Sequence, residues 1–432
     1  MGADGSLGVL RGSALYVGAL IGPGVLLVPA LAVQAAGAAS IVAWACLLVL
    51  SAPLACTFAA LGVRHPVAGG VTAYVRVGLG DGPAAVTGAC FMTAVLLGGP
   101  AVALIGGYYV ADLTGSGTTV AVGVGLAMCG VVLGANACGL RVSSGFQLVL
   151  SAALVVVIAT AVGVALPSRG GDNWAPFAPH GWWAIGSAAS ILVWLFIGWE
   201  SMAQLAGEFR CPGRDLPRAM AVAFGVVAAL YLGLAVATIS VTAGSSSKVP
   251  LADLVAVGFG RAGRDATAIL AVALTMGTMN VYTGGSAKLA ATLAQEGALP
   301  RWLGGDARRS VPRRPLLVLA VTAPALLLAL GAGFSNAADL VRATSACFVA
   351  VYLLALGSAT RILTGRTRLA AVVSVALTAA VAVFSAGFLL VPLAAAAITL
   401  GARHVAARRR RFEAPVSPLG RWKGARTDGD PG

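Results

Sequence analysis

The stretch that decides the fold is Gly12–Ala36, GSALYVGALIGPGVLLVPALAVQAA. It holds no charge and is long enough to cross a hydrocarbon core of roughly 30 Å, yet Ile21-Gly22-Pro23-Gly24 interrupts it about 15 Å in. Proline removes a helical N–H and glycine weakens the helix on either side. A break facing lipid would strand backbone groups at several kcal/mol each, so this one is expected to line a cavity. A plain proline kink or a small-residue packing face is the competing reading of the same residues. A second interruption shifts the balance between them. In Ala184–Leu205 the run Trp194-Leu195-Phe196-Ile197-Gly198-Trp199-Glu200 sets a glycine among bulky aromatics, and Glu200 is the acid lying well inside an apolar run. An intramembrane carboxylate is a functional hypothesis by default; its bland alternative is a structural acid bonded to neighbouring helices.

Working outward, the whole chain has the same character. Its 432 residues are 59% hydrophobic and 10% charged, with a mean hydropathy of +0.91. Average soluble chains are about a quarter charged, so a water-soluble globule, a disordered chain and a disulfide-knit secreted domain are all excluded. Apolar runs bounded by charge, Pro or Gly fall at Gly12–Ala36, Ile41–Val63, Ala84–Ala111, Thr118–Ala137, Phe146–Leu166 and Ala184–Leu205. They continue at Ala219–Ala243, Thr267–Thr292, Pro315–Gly333 and Asp339–Ala359. Leu369–Ala402 reads as a tight hairpin turning at Ser385-Ala386-Gly387, which gives twelve transmembrane helices, with eleven as the alternative. Met1–Leu10 lacks the basic start of a signal peptide, so no cleavable leader is expected.

The formal charge of +14 comes from 29 Lys and Arg against 15 Asp and Glu. Its placement excludes nucleic acid as a partner, because the bases sit in short loops and termini rather than on an aromatic-interleaved face. With the N-terminus inside, the external segments hold only Arg169, Lys248, Arg261 and Arg264, while Lys288 and Arg342 lie within spans. The positive-inside rule therefore puts both termini in the cytoplasm, with the Arg408–Arg411 cluster near anionic lipid. The seven cysteines show no metal-ligand spacing and the three histidines lie in loops or near termini, so neither a metal nor a cofactor is expected.

The interrupted spans are the first and the sixth, corresponding members of two five-helix halves. That is the pattern of an inverted-repeat transporter with a site at the bilayer midplane. Amides after the first break would receive a carboxylate and carbonyls at the second an ammonium, so an amino acid is the natural ligand.

Four stretches carry a family resemblance. They are Gly22-Pro23-Gly24 followed by Val28-Pro29-Ala30, the loop His65-Pro66-Val67-Ala68-Gly69-Gly70-Val71, Phe196-x-Gly198-x-Glu200, and Glu208 to Ala219. A weaker match runs from Ser286-Ala287-Lys288 through Gly297-Ala298-Leu299-Pro300. Together they resemble the amino acid/polyamine/organocation (APC) superfamily of permeases, and within it the bacterial methionine/branched-chain amino acid exporters. The resemblance implies an all-α polytopic membrane protein with a five-plus-five inverted-repeat (LeuT-like) core and two further C-terminal helices, working by alternating access. The implied layout is a cytoplasmic N-terminus at 1–11, repeats at 12–166 and 184–359, a hairpin at 369–402 and a basic cytoplasmic tail at 403–432. Substrate contacts are implied for Ile21, Gly22, Gly24, Trp194, Phe196, Ile197 and Gly198, with Glu200 as the pH-sensitive acid. Two departures stand out. Pro23 replaces the usual Ser or Thr, which transfers carboxylate binding to Gly24, Val25 and the residues after them, and the fifth span lacks the lysine that carries protons in some members.

Few charged groups are available for an ionic side chain. Arg342 has Asp339 on its own helical face, and Lys288 lies near a helix end, where it can snorkel. The third span offers Phe91, Met92, Thr93, Leu97 and Gly98; the eighth offers Thr275, Thr278, Tyr282 and Ser286 at near-helical spacing, with Asn280 nearby. The third-span groups suit a neutral, aliphatic or sulfur-containing amino acid, moved by secondary transport in the bacterial cytoplasmic membrane, while the eighth-span stripe either lines the path or bonds to neighbouring helices. Proton-linked efflux, with H+ as the coupling ion, is the expected mode; import, exchange or a non-transporting sensor on the same fold are the alternatives. A membrane enzyme would need a catalytic cluster and a channel a recurring ring of charge, and the sequence offers neither.

Overall fold

A computed structural model describes residues 7–64, 70–140, 142–167, 171–200, 206–242, 246–305 and 311–413. Every regular element in it is helical. Ten stretches are long and apolar enough to cross a membrane, and the shorter apolar helices Val9–Leu20 and Ala184–Phe196 lie beside them. The chain is a polytopic helical membrane protein.

The first apolar run forms two helices rather than one. Helix α1 (Val9–Leu20) stops where Ile21 turns extended (φ −91°, ψ 95°). Gly22 is extended as well, and a single tight turn at Pro23–Leu26 leads into α2 (Val28–Ala36). Helices α3 (Ser40–Arg64), α4 (Gly70–Leu79), α5 (Asp81–Leu113), α6 (Thr118–Ala137) and α7 (Ser144–Ala165) come next. The sixth run also stops midway: α8 (Ala184–Leu192) tightens into a turn at Val193–Phe196, and Ile197 is extended (φ −84°, ψ 140°). Residues 201–205, the far end of that run, lie outside the described residues, as do 65–69 of the glycine-containing loop and the tail beyond 413.

The chain continues with α9 (Pro212–Thr242), α10 (Pro250–Gln295), α11 (Arg313–Gly331) and α12 (Ala337–Ile362). A final pair, α13 (Gly365–Phe384) and α14 (Leu390–Glu413), is joined by a short turn at Ala386–Leu389. Helix α10 runs well beyond the Thr267–Thr292 expected for it, because the helix resumes across a kink at Gly260 (φ 57°), a backbone state open to glycine.

Polar ties fix both ends of the bundle. At one end, Arg264 grips Asp112 at the end of α5 through two bonds of 2.6 and 2.7 Å and reaches Asp253 before the kink at 2.9 Å. Nearby, Lys248 donates to the Thr118 hydroxyl at 2.8 Å. At the other end, Arg76 of α4 pairs with Asp81 at 3.1 Å and with Glu296 at 2.7 Å. There, too, Leu7 exchanges backbone bonds with Glu208 (3.0 Å) and Arg210 (3.1 Å), tying the start of α1 to the segment after the sixth run.

Candidate substrate site at the helix breaks

The two breaks touch. A Cβ on Gly198 would stand 3.0 Å from the Ala19 carbonyl oxygen, and one on Gly24 would stand 2.8 Å from Leu195. Gly198 also adopts φ +127°, which L side chains rarely do, so glycine is required twice over at this position.

Tyr231 on α9 fastens the pair. Its fully buried hydroxyl lies 3.0 Å from the Leu20 carbonyl and 2.9 Å from the Leu195 carbonyl, the freed ends of the two interrupted helices. One phenolic proton serves both acceptors, so the contact holds the breaks together without fully satisfying either. Tyr109 on α5 donates to the Leu26 carbonyl at 2.9 Å and anchors the turn after the first break.

On the donor side the geometry is selective. The Val25 N–H already bonds the Gly22 carbonyl at 3.2 Å, and the Leu27 N–H bonds Gly24 at 3.1 Å. The amides of Gly22 and Gly24 donate no backbone bond among the described residues. Of the amides expected to receive a carboxylate, that of Val25 is spent inside the turn, while those of Gly22 and Gly24 are not.

Glu200 closes a triangle. Its Oε2 accepts from the Tyr352 hydroxyl at 2.5 Å and from the Gly198 N–H at 3.0 Å, and that N–H also points at the Tyr352 oxygen, 3.0 Å away. No ion pair reaches Glu200 among the described residues.

These groups open on a cavity of about 340 Å³, within the usual range for small-ligand sites. Ile21, Gly22, Pro23, Gly24, Trp194, Ile197, Gly198, Glu200, Thr278 and Tyr282 all line it. Gln147 and Ser151 of α7 line it as well, and the Gln147 amide donates to Thr278 at 3.3 Å. Glu200 is the one charged group among the described lining residues.

Other candidates lie elsewhere. Val25 is fully buried, and Phe196 turns away to stack edge-on against Trp44 and Tyr231. Thr93 spends its hydroxyl on the Ala89 carbonyl at 2.9 Å, and Met92 is packed beside it without reaching the cavity. Asn280 sits two residues from Thr278, about 200° around the helix, and ties α10 to the Leu140 carbonyl (3.3 Å) and the Val142 amide (2.9 Å). Arg342 stands 3.8 Å from Asp339, but its closer partner is Ser187 of α8, at 2.8 Å. Sequence reasoning missed Tyr231, Tyr352 and Gln147, whose partners are distant in the chain. The glycine among aromatics, with an acid two residues on, pointed to the second break, and no local pattern pointed to the tyrosines.

Two interrupted apolar runs meeting at a shared cavity suit a carrier-type membrane protein. The family model described as amino acid permease matches residues 7–405, and the chain belongs to that family, within the APC superfamily. It is 31% identical over 357 residues to the uncharacterized amino acid permease YecA of Bacillus subtilis (strain 168), covering 82% of this chain and 84% of that protein. It is 29% identical over 378 residues to the L-methionine/branched-chain amino acid exporter YjeH of Escherichia coli (strain K12), covering 86% and 90% respectively. Cationic amino acid transporter 1 of Arabidopsis thaliana is 26% identical over 362 residues, 78% of this chain and 60% of that protein.

Proposed function

We propose that this permease moves neutral amino acids, aliphatic or sulfur-containing, across the bacterial cytoplasmic membrane by alternating access, as proton-linked efflux. The observation that carries the reading is the meeting of two helix breaks at a cavity whose described lining carries one charge, Glu200. The Gly22 and Gly24 amides take the substrate carboxylate and the carbonyls at the breaks take its ammonium. A cationic side chain would need a fixed anion besides Glu200, and the described lining has none. The activity for which the Escherichia coli relative is named supports both the substrate class and the outward direction. Glu200 is the proton carrier in this scheme, and the neutral Gln147–Thr278 contact joins the eighth span to the fifth, which carries no lysine.

In this reading twelve helices cross the bilayer. Residues 12–166 and 184–359 form two five-helix inverted repeats, 369–402 a C-terminal hairpin, and 1–11 and 403–432 lie in the cytoplasm. The position of the breaks in the first and sixth runs supports the repeat, and the distribution of Lys and Arg supports the orientation.

Counterflow into proteoliposomes tests the proposal, with neutral, cationic and anionic amino acids and with or without pH and sodium gradients. Exchange of methionine and leucine, driven by a pH gradient and indifferent to sodium, is expected. Exchange confined to arginine or lysine, or sodium dependence, overturns it.

A further inference from the structure

The cavity has two chemically distinct parts. Gln147, Ser151, Glu200, Thr278, Tyr282 and Thr283 give the walls from α7, α10 and the second break their polar groups. The lining supplied by α6 and α11 is different: Cys129, Val132, Leu133, Leu319 and Ala323 are all apolar. These two helices turn their other faces outward, with Val131, Leu317, Val321 and Leu328 each more than half exposed, so the cavity runs from the breaks toward the outside of the bundle.

What lets it pass is α5. Gly98 and Gly99 both line the cavity, and a Cβ on Gly99 would meet no atom within 4 Å. At this pair the α5 wall is bare backbone, with Leu96 and Pro100 lining the cavity on either side of it. Beside it, a Cβ on Gly98 would stand 3.2 Å from Thr344 and 3.7 Å from Trp194, so the aperture is bounded on that side.

We propose that this apolar arm, entered past Gly99 and walled by Leu133, Leu319 and Ala323, is the slot for the substrate's side chain, and that it selects long, flexible, apolar side chains over short ones. This rests on the function proposed above and extends it. Backbone groups at the breaks hold what every amino acid shares, and the slot reads what differs. Each methylene placed in such a slot raises affinity about fourfold. A side chain that stops at Cβ gains nothing from it.

The test is competition against labelled leucine, using the full-length protein in lipid nanodiscs and the series glycine, alanine, 2-aminobutyrate, norvaline and norleucine. Affinity is expected to rise about fourfold per methylene from alanine onward. In Gly99→Leu the slope should vanish, because the new side chain plugs the aperture. In Ala323→Phe it should stop one or two carbons early, because the far end is filled. Ala323→Phe alters only the outer wall, so it carries the test where Gly99→Leu fails to give monodisperse protein. A flat series in the wild type overturns the slot, as does a slope that survives both substitutions, which would mean that lipid fills the arm. Absence of any amino acid binding in the wild type would instead overturn the transport reading.

Discussion

Tyr231 shows how much of the site depends on one hydroxyl. Its ring is fixed between Trp44 (5.3 Å) and Phe196 (5.4 Å), and Tyr231→Phe would keep those contacts while leaving the Leu20 and Leu195 carbonyls without their donor. Buried acceptors left unpaired cost about 1–3 kcal/mol, so a rise in KM for leucine of roughly tenfold is expected, with a smaller change in turnover, measured by initial rates in proteoliposomes. In the proposed scheme Glu200 is the residue on which coupling turns. The groups facing it are the Tyr352 hydroxyl, the Gly198 amide and, nearby, Tyr282; no cation does so among the described residues. Glu200→Gln keeps the shape and removes the titration, so transport should lose its pH dependence while counterflow persists. An unchanged pH profile in that variant would remove Glu200 from the mechanism.

At the scale of elements, both discontinuous helices are legible in sequence because their causes are local. Pro23 between two glycines cannot continue a helix comfortably, and Gly198 beside Trp199 and an intramembrane acid weakens one where a break has a use. The kink at Gly260 was not legible, since a glycine in a helical run usually stays helical. It bends α10 so that Arg264 meets Asp112 and Asp253, whose side chains are 20% and 21% exposed, while its own is 34% exposed. Removing the guanidinium leaves two largely buried carboxylates without the cation they share. Its worth lies between that of exposed and buried pairs, about 1–2 kcal/mol. Arg264→Ala should therefore lower the melting temperature of the detergent-solubilised protein by a few degrees. Pairing it with Asp112→Asn should recover part of the loss.

For the molecule as a whole, orientation is the testable quantity. Cys138, after α6, and Cys211, before α9, are both exposed, and the charge distribution assigns both to the cytoplasmic side. A membrane-impermeant maleimide should leave them unlabelled in intact cells and react with them once the membrane is opened. Labelling of Cys211 in intact cells would invert the topology. Cys46 and Cys56 are also exposed, but on the apolar α3, where lipid rather than water would meet them.

The amino-acid sequence by itself determined the solvent this chain folds in, the two places where its helices are weakest and the presence of a lone acid at the second. Each stems from composition or from backbone chemistry within a few residues. Only the tertiary structure decided which groups face the cavity. Thr278 and Asn280 are two residues apart and point to opposite sides of α10; Phe196 turns from the site while Ile197 enters it. Tyr231 and Tyr352 come from runs with no mark of function, because a tyrosine hydroxyl is assigned its role by whichever carbonyl or carboxylate the packing of distant helices brings within reach.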